Sequence, residues 1–365
     1  MRIAQIAPVI ETVPPRKYGG TERVVYHLTE ELVKRGHEVT LFASGNSTTS
    51  AKLVSVIDRS LREMKIASRG DGADCYSLLN VGLAYQRQKE FDIIHDHTHI
   101  IGLATANIAT TPTVVTLHDP VFPNYKPIIE TLRHPFFVTI SRTQPIPAPK
   151  MNIIGNVYHG MNMQHYPFAK KAGKYLLFVG NFRKEKGAHT AIEVAKRLNM
   201  PLILAGKLDR SWQLEYFNKQ IRPHLSPQIK YVGEVTEEKR NSLMRRAYCL
   251  LHPIIWREPF GLTLIEAMAC ACPVVAYNKG SSSEIIKDGT TGFVVENFKQ
   301  MLKAVKKVDE IDRQRTREYA LKNFNAQRMA RDYEKIYEKV ISISKKEMPT
   351  PRKVRVTYQE SAHPK

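Results

Sequence analysis

The chain has 365 residues, with 55 Lys and Arg against 35 Asp and Glu, a formal charge of +20, and 42% hydrophobic residues. That length exceeds a usual single core and predicts two domains, while the absence of an apolar run of about 18 residues excludes a hydropathy-defined membrane span. The charge is uneven: residues 1–170 carry a net +4, residues 171–340 a net +12 and the last 25 a net +4. A basic second half suits a polyanionic ligand or an anionic membrane surface; no aromatic–basic interleaving accompanies it, which excludes nucleic acid. Four cysteines without C-x-x-C spacing read as reduced core thiols of a cytoplasmic protein.

In chain order, Arg2–Val9 is a near-continuous apolar strand, its apolar stretch too short for a signal peptide. Thr21–Arg35 is an amphipathic helix stopped by Gly36-His37, and Glu38–Ala43 is a second strand. Further strands are predicted at Phe91–His95, Thr113–Leu117, Phe136–Ile140 and Ile153–Val157, separated by helix-length segments that argue for a parallel sheet covered on both faces. A polar stretch without a period, Tyr158–Lys174, forms a linker. The same grammar then restarts. Strands at Tyr175–Val179, Pro201–Ala205, Lys230–Val232, Leu250–Pro253, Pro273–Tyr277 and Gly292–Val295 alternate with helices at His189–Leu198, Glu237–Ala247 and Leu262–Ala271. A last helix, Ala326–Ile341, precedes a proline-rich basic tail that reads as disordered.

Five segments bear on chemistry. Glu258 lies on the loop before a helix and Glu266 one to two turns inside it, placing two carboxylates near a crevice at the sheet's carboxyl end. Carboxylates accept well from vicinal hydroxyls, although spacing alone equally suits one solvated glutamate and one charge on a helix dipole. Val179–Gly187 joins a strand to a helix and offers backbone N–H groups to a phosphate, with Lys184 or Lys186 adding charge. Tyr18-Gly19-Gly20-Thr21-Glu22 allows close approach to backbone, with Gly20 or Thr21 capping the helix, and lacks the G-x-G-x-x-G of dinucleotide enzymes. His95, His97 and His99 read as a polar strand end lining a cleft rather than a metal site, since no distant ligand pattern completes them. His118 closes another apolar strand and, alone, reads as a hydrogen-bonded structural histidine.

Taken together over residues 1–341, these segments resemble glycosyltransferase family 4, retaining enzymes of the GT-B fold. The strongest stretch is Glu258–Ala276, followed by Gly280-Ser-Ser-Ser-Glu284 and Asp288-Gly-Thr-Thr-Gly292-Phe. The resemblance implies an α/β fold of two Rossmann-like domains around a cleft: an acceptor domain at 1–160, a linker at 161–174 and a nucleotide-sugar donor domain at 175–325. A helix at 326–343 would return to the first domain, ahead of a basic tail at 344–365. It implies that Glu258 contacts donor-sugar hydroxyls, that Phe260, Gly261 and Leu262 lie by sugar and phosphates, and that Glu266 holds ribose hydroxyls. Lys186 would bind the diphosphate, Gly19 and Gly20 would lie against phosphates or acceptor, and His118 would approach the transferring sugar.

The resemblance further implies a metal-independent retaining transfer from a nucleoside-diphosphate sugar to an acceptor hydroxyl, without cofactor, in the cytoplasm or peripherally at the membrane's inner face. Three positions depart from the family pattern: Asn181 where arginine is usual, Ala271 where glycine is usual, and Ser283 where proline is common. Arg183 is the expected substitute for the missing arginine. The Asn181 departure also supports a second reading, a catalytically impaired nucleotide-sugar-binding protein of a cell-envelope assembly.

Overall fold

The computed structural model describes residues 1–346 apart from 18, 67–71, 133, 134, 147 and 149. Most of the basic tail therefore lies outside the described residues. In the first half the order is β1 (Arg2–Ile6), α1 (Gly20–Lys34), β2 (Glu38–Phe42), β3 (Lys52–Val54), α2 (Ala73–Gln86), β4 (Ile93–Asp96), α3 (Leu103–Ile108), β5 (Thr113–Thr116), α4 (Lys126–Thr131), β6 (Phe136–Thr139) and β7 (Ile153–Asn156). The second half continues with β8 (Leu176–Val179), α5 (Ala188–Leu198), β9 (Leu202–Ala205), α6 (Ser211–Gln220), β10 (Ile229–Tyr231), α7 (Glu237–Arg246) and β11 (Cys249–His252). It closes with α8 (Leu262–Ala269), β12 (Val274–Tyr277), α9 (Ser282–Ile285), β13 (Gly292–Val295), α10 (Phe298–Val305), α11 (Arg313–Asn323) and α12 (Ala326–Lys346).

Two all-parallel sheets result, ordered β3-β2-β1-β4-β5-β6-β7 and β10-β9-β8-β11-β12-β13. Both faces of each are covered, which explains strands apolar at nearly every position. On β1, Ala4 and Ile6 pack with Phe42, Val81 and Ile94, while Ile3 packs on the other face with Leu28, Val114 and Tyr333. Gln5 shares the face of Ile3, fully buried, and is the polar exception in this strand. β3 is a short, half-buried edge strand and α2 carries exposed Leu78 and Leu79, Leu78 at i+3 and i+7 spacing from buried Val81 and Tyr85, so neither has a periodic signature.

The long helix α12 follows the second sheet but covers the first. Met329, Tyr333, Tyr337 and Val340 are buried against Ile3, Val24, Leu28 and Val157. At roughly 1.5–3 kcal/mol per buried side chain, these four anchor it by an upper bound on the order of 10 kcal/mol.

Helix α8 ends with Ala271 in the left-handed region, φ 60°. The Ala271 amide donates to the Met268 carbonyl and the Cys272 amide to the Ala267 carbonyl, a Schellman closure normally completed by glycine. The alanine methyl is fully buried, so packing offsets part of the roughly 1–2 kcal/mol that this conformation costs an L-residue. Cys249, Cys270 and Cys272 are buried thiols, but Cys75 is exposed, which corrects the reading of all four as core.

Candidate active site

Strand order reverses between β1 and β4 in the first sheet and between β8 and β11 in the second. Open parallel sheets bind ligands at such switch points, outside the strands' carboxyl ends. Here the two switch points open onto one cleft of about 820 Å³. Of the sequence-predicted residues, Gly19, Gly20 and His118 line it from the first domain and Lys186, Glu258, Phe260, Gly261, Leu262 and Glu266 from the second.

Glu258 stands on the loop between β11 and α8, held from behind: the Ser281 amide donates to its carbonyl, and the Ser281 hydroxyl donates to the Phe260 carbonyl at 2.7 Å. The Lys186 ammonium donates to Glu258 Oε2 at 2.5 Å, and Trp256 Nε1 donates to the same oxygen at 2.8 Å. Burial opposes ionisation of this carboxyl, but Lys186 and His252 outweigh it and hold the group below the usual carboxylate range. Lys186 also sits over the Trp256 ring, 4.9 Å from its centroid.

Glu266, one turn inside α8, is buried and bonded through Oε1 to Arg240 at 3.0 Å. Arg23 of α1, itself buried, pairs with Glu237 at the start of α7 and so ties the two domains together at this point. Neither arginine carries a motif in the sequence.

Asn181 lines the cleft with its buried Oδ1 lacking any protein partner among the described residues. Arg183 turns elsewhere: its guanidinium lies 5.3 Å from the Trp212 ring centroid and 5.1 Å from that of Trp256, and it is absent from the cleft lining. The expectation that Arg183 substitutes for the missing arginine is thus corrected by its preference for two indole faces. Lys207 and Arg210, after β9, line the cleft instead.

The first glycine loop departs in detail. Gly19 is the N-cap of α1 at φ 156°, and neither Gly20 nor Thr21 caps. A Cβ at Gly19 would meet Pro15 at 2.6 Å, so the close turn itself demands glycine. Tyr18 lies outside the described residues.

His95 and His97 share a face, ring centroids 3.8 Å apart, with both nitrogens of each bonded within the protein. His99 leaves the strand in the left-handed region and its Nδ1 accepts from the His118 amide at 3.3 Å. Among the described residues no group of three or more His, Cys, Asp or Glu forms a metal-holding cluster. The His118 ring stacks on His159, centroids 5.0 Å apart, and His159 meets Phe260 edge-on at 4.9 Å. His159 lies in the stretch read as a bare linker, and nothing in its spacing distinguishes it.

Residues 18–146 match the family model Glycosyltransferase Family 4, and residues 164–324 match Glycosyl transferases group 1. The chain belongs to these glycosyltransferases. The enzyme is 24% identical over 340 residues to glycogen synthase of Mycobacterium tuberculosis, covering 76% of this chain and 79% of that protein. It is likewise 24% identical over 326 residues to that organism's phosphatidyl-myo-inositol mannosyltransferase, covering 81% and 82%. Sucrose-phosphate synthase from Thermosynechococcus elongatus superposes at a TM-score of 0.76 with 19% identity, over 93% of this chain and 99% of that one. Anabaena HepE in complex with UDP and glucose superposes at 0.71 with 17% identity, over 93% and 100%. The fold of the glycosyltransferase is therefore GT-B.

Further contacts span the domains of the enzyme. Arg62 pairs with Glu11 at 2.6 Å and with Glu234 at 3.0 Å. Glu284, whose preceding Ser283 replaces proline, accepts from the amides of Arg142 and Thr143 and from the Tyr158 hydroxyl. Glu22, buried in the cleft wall, has its pKa raised to about 7, chiefly by burial, with Glu11 adding to the shift. A carboxyl raised from 4.5 contributes stability that is present below 4.5 and lost as pH rises through 7. Glu22→Gln is expected to be the more stable protein at pH 8, by roughly 3 kcal/mol more than at pH 4.5. Denaturant titrations of both proteins across this range check it; parallel curves reject it.

Proposed function

We propose that the enzyme transfers a sugar from a nucleoside-diphosphate sugar, bound on the second domain, to an acceptor hydroxyl presented by the first. The observation that carries this reading is the partly buried Lys186–Glu258 pair at the switch point of the second sheet, beside the amino end of α8 and the ribose-type acceptor Glu266. Glu258 would accept from sugar hydroxyls and Glu266 from the ribose. Lys186, Lys207, Arg210 and the amides of Gly261 and Leu262 would stabilise the departing diphosphate, a preorganised electrostatic role. Packing of His118, His159 and Phe260 across the cleft would exclude water that otherwise hydrolyses the donor.

We further propose retention of anomeric configuration by front-face displacement, with the leaving phosphate taking the acceptor proton. No metal or other cofactor is assigned a role. The resemblance to retaining enzymes supports this mechanism. A thermal-shift screen against nucleoside diphosphates and their sugars tests donor binding, because a ligand bound only by the native state stabilises it. Product anomers read by NMR, with and without EDTA, test retention and metal use. A cytoplasmic setting is consistent with four free cysteines, three of them buried. No helix among the described residues is long and apolar enough to cross a membrane, and vesicle sedimentation with anionic lipid tests peripheral contact.

Asn181 bears on the impaired-binding alternative. Two cations that the sequence pattern does not reveal, Lys207 and Arg210, line the same cleft, so the missing arginine alone does not favour it. Asn181→Arg is expected to lower the donor KM by about 10–100-fold, the worth of one added charged hydrogen bond. Steady-state kinetics with the donor found in the screen checks this; an unchanged or higher KM would show that the position does not reach the diphosphate.

A further inference from the structure

His118 is the end of a buried hydrogen-bonded chain that begins on α12. Gln5 Nε2 donates to the Tyr337 hydroxyl at 3.1 Å, which fixes Gln5 Oε1 as the acceptor facing His97. His97 Nε2 therefore donates to Gln5 Oε1 at 2.7 Å, and its Nδ1 is left as an acceptor. His118 Nε2 lies 2.9 Å from that Nδ1 and must be the donor. The remaining His118 nitrogen, Nδ1, is buried, has no protein partner among the described residues, and belongs to a residue lining the cleft. On the other side, the Tyr337 hydroxyl, already accepting from Gln5, donates to His95 Nδ1 at 2.7 Å; His95 Nε2 donates to Thr116 Oγ1 at 2.8 Å, and Thr116 meets the Tyr333 hydroxyl at 3.0 Å.

A neutral imidazole has one donor and one acceptor nitrogen, so a row of them has a direction. Burial keeps the rings of His95, His97 and His118 neutral, pushing each pKa well below its ordinary value. Reversing Gln5 would reverse every bond beyond it. We propose that Gln5, His97 and Tyr337 are positioning residues that fix His118 as the Nε2–H tautomer, so that its Nδ1, covered in the cleft wall, is a pure acceptor. His118 can then receive a hydrogen bond from a substrate hydroxyl and cannot donate one. The further assignment of this Nδ1 to a reacting substrate rests on the transfer reading above.

The test is the ring-nitrogen NMR of 15N-histidine-labelled enzyme without ligand, in wild type, Tyr337→Phe and Gln5→Leu, alongside UDP release from UDP-glucose and thermal melting. The wild type is expected to show His118 protonated only at Nε2. Tyr337→Phe, which keeps the ring and removes only the hydroxyl, is expected to show a second His118 tautomer. Its kcat should fall by about 3–10-fold, the worth of one hydrogen bond, with donor KM within about 2-fold. Gln5→Leu should show the same mixture more strongly. Should Gln5→Leu fail to fold, Tyr337→Phe decides alone. A wild-type His118 protonated at Nδ1 overturns the proposal, as does an unchanged His118 spectrum in Tyr337→Phe. Predicted spectra in an enzyme that releases no UDP support the chain and count instead against UDP-glucose as donor.

Discussion

Glu258→Ala is expected to reduce kcat/KM by about 10³-fold, the worth of two charged hydrogen bonds in the transfer step. The same substitution should also lower the melting temperature, an outcome for which the bare sequence gives no reason. Lys186 and Trp256 Nε1 both converge on Glu258 Oε2, and truncation leaves the partly buried ammonium without its partner. Leaving a partly buried donor without its partner in this way costs about 1–3 kcal/mol. Glu258→Gln keeps an oxygen for one of these donors and should lose less stability while still losing most activity. Initial rates with saturating donor and a parallel melt separate the two effects. Turnover within 2-fold of wild type in Glu258→Ala would sink the assignment of this residue.

Acidification is expected to unfold the protein steeply near pH 5. His95, His97, His159 and His252 are buried, and burial depresses each below the ordinary histidine range, His159 to about 3 and His252 to about 4. Arg328 adds to the effect at His159, while at His252 Glu258 opposes burial and Lys186 reinforces it. A histidine depressed in the native state contributes stability that is present above 6.5 and lost as pH falls towards its folded pKa. Four such rings give a slope of about 5 kcal/mol per pH unit below 6.5, which exhausts an ordinary stability of about 5–15 kcal/mol within one to three units. Glu22 works in the opposite direction, but its roughly 3 kcal/mol is the smaller effect. Denaturant midpoints between pH 7 and 4.5 check this; a midpoint that is flat across pH 6.5–5 rejects it. Histidine-to-glutamine exchange at position 252 should flatten the slope by about one proton.

Much of the fold was legible because parallel strands buried on both faces are apolar without interruption. Leu202–Ala205 and Gly292–Val295 announce themselves in this way. Among the elements that escaped, β3 is a half-buried edge and α2 a helix with two exposed leucines, so neither follows a burial period. The site was legible where a side chain sits beside a backbone break, as with Glu258 before Pro259 and Gly261. It was illegible where the function is shared by residues from distant strands. Arg240 is an ordinary charge on a polar helix until Glu266 is placed 3.0 Å away. Gln5 looks like a tolerated impurity in an apolar strand, and His97 like the middle of a histidine run. Only the β1–β4 pairing, which sets Gln5 beside His95 in register, brings Gln5 between His97 and Tyr337. Arg183 shows the converse: nearness in sequence to Asn181 suggested a role, whereas its guanidinium lies against two tryptophans, one on α6 and one on the loop after β11.

The return of α12 makes the second domain, in topological terms, an insertion. The strands of the first sheet come from residues 2–156, yet the cover over Ile3, Val24, Leu28 and Val114 arrives only at residues 326–346. During synthesis the amino-terminal half emerges first but waits, with one apolar face open, until the entire donor half has left the ribosome. The half made second is the one able to finish first. Whatever guards the nascent chain in the interval must hold that face, and a chain ended before Ala326 would carry its exposed patch permanently.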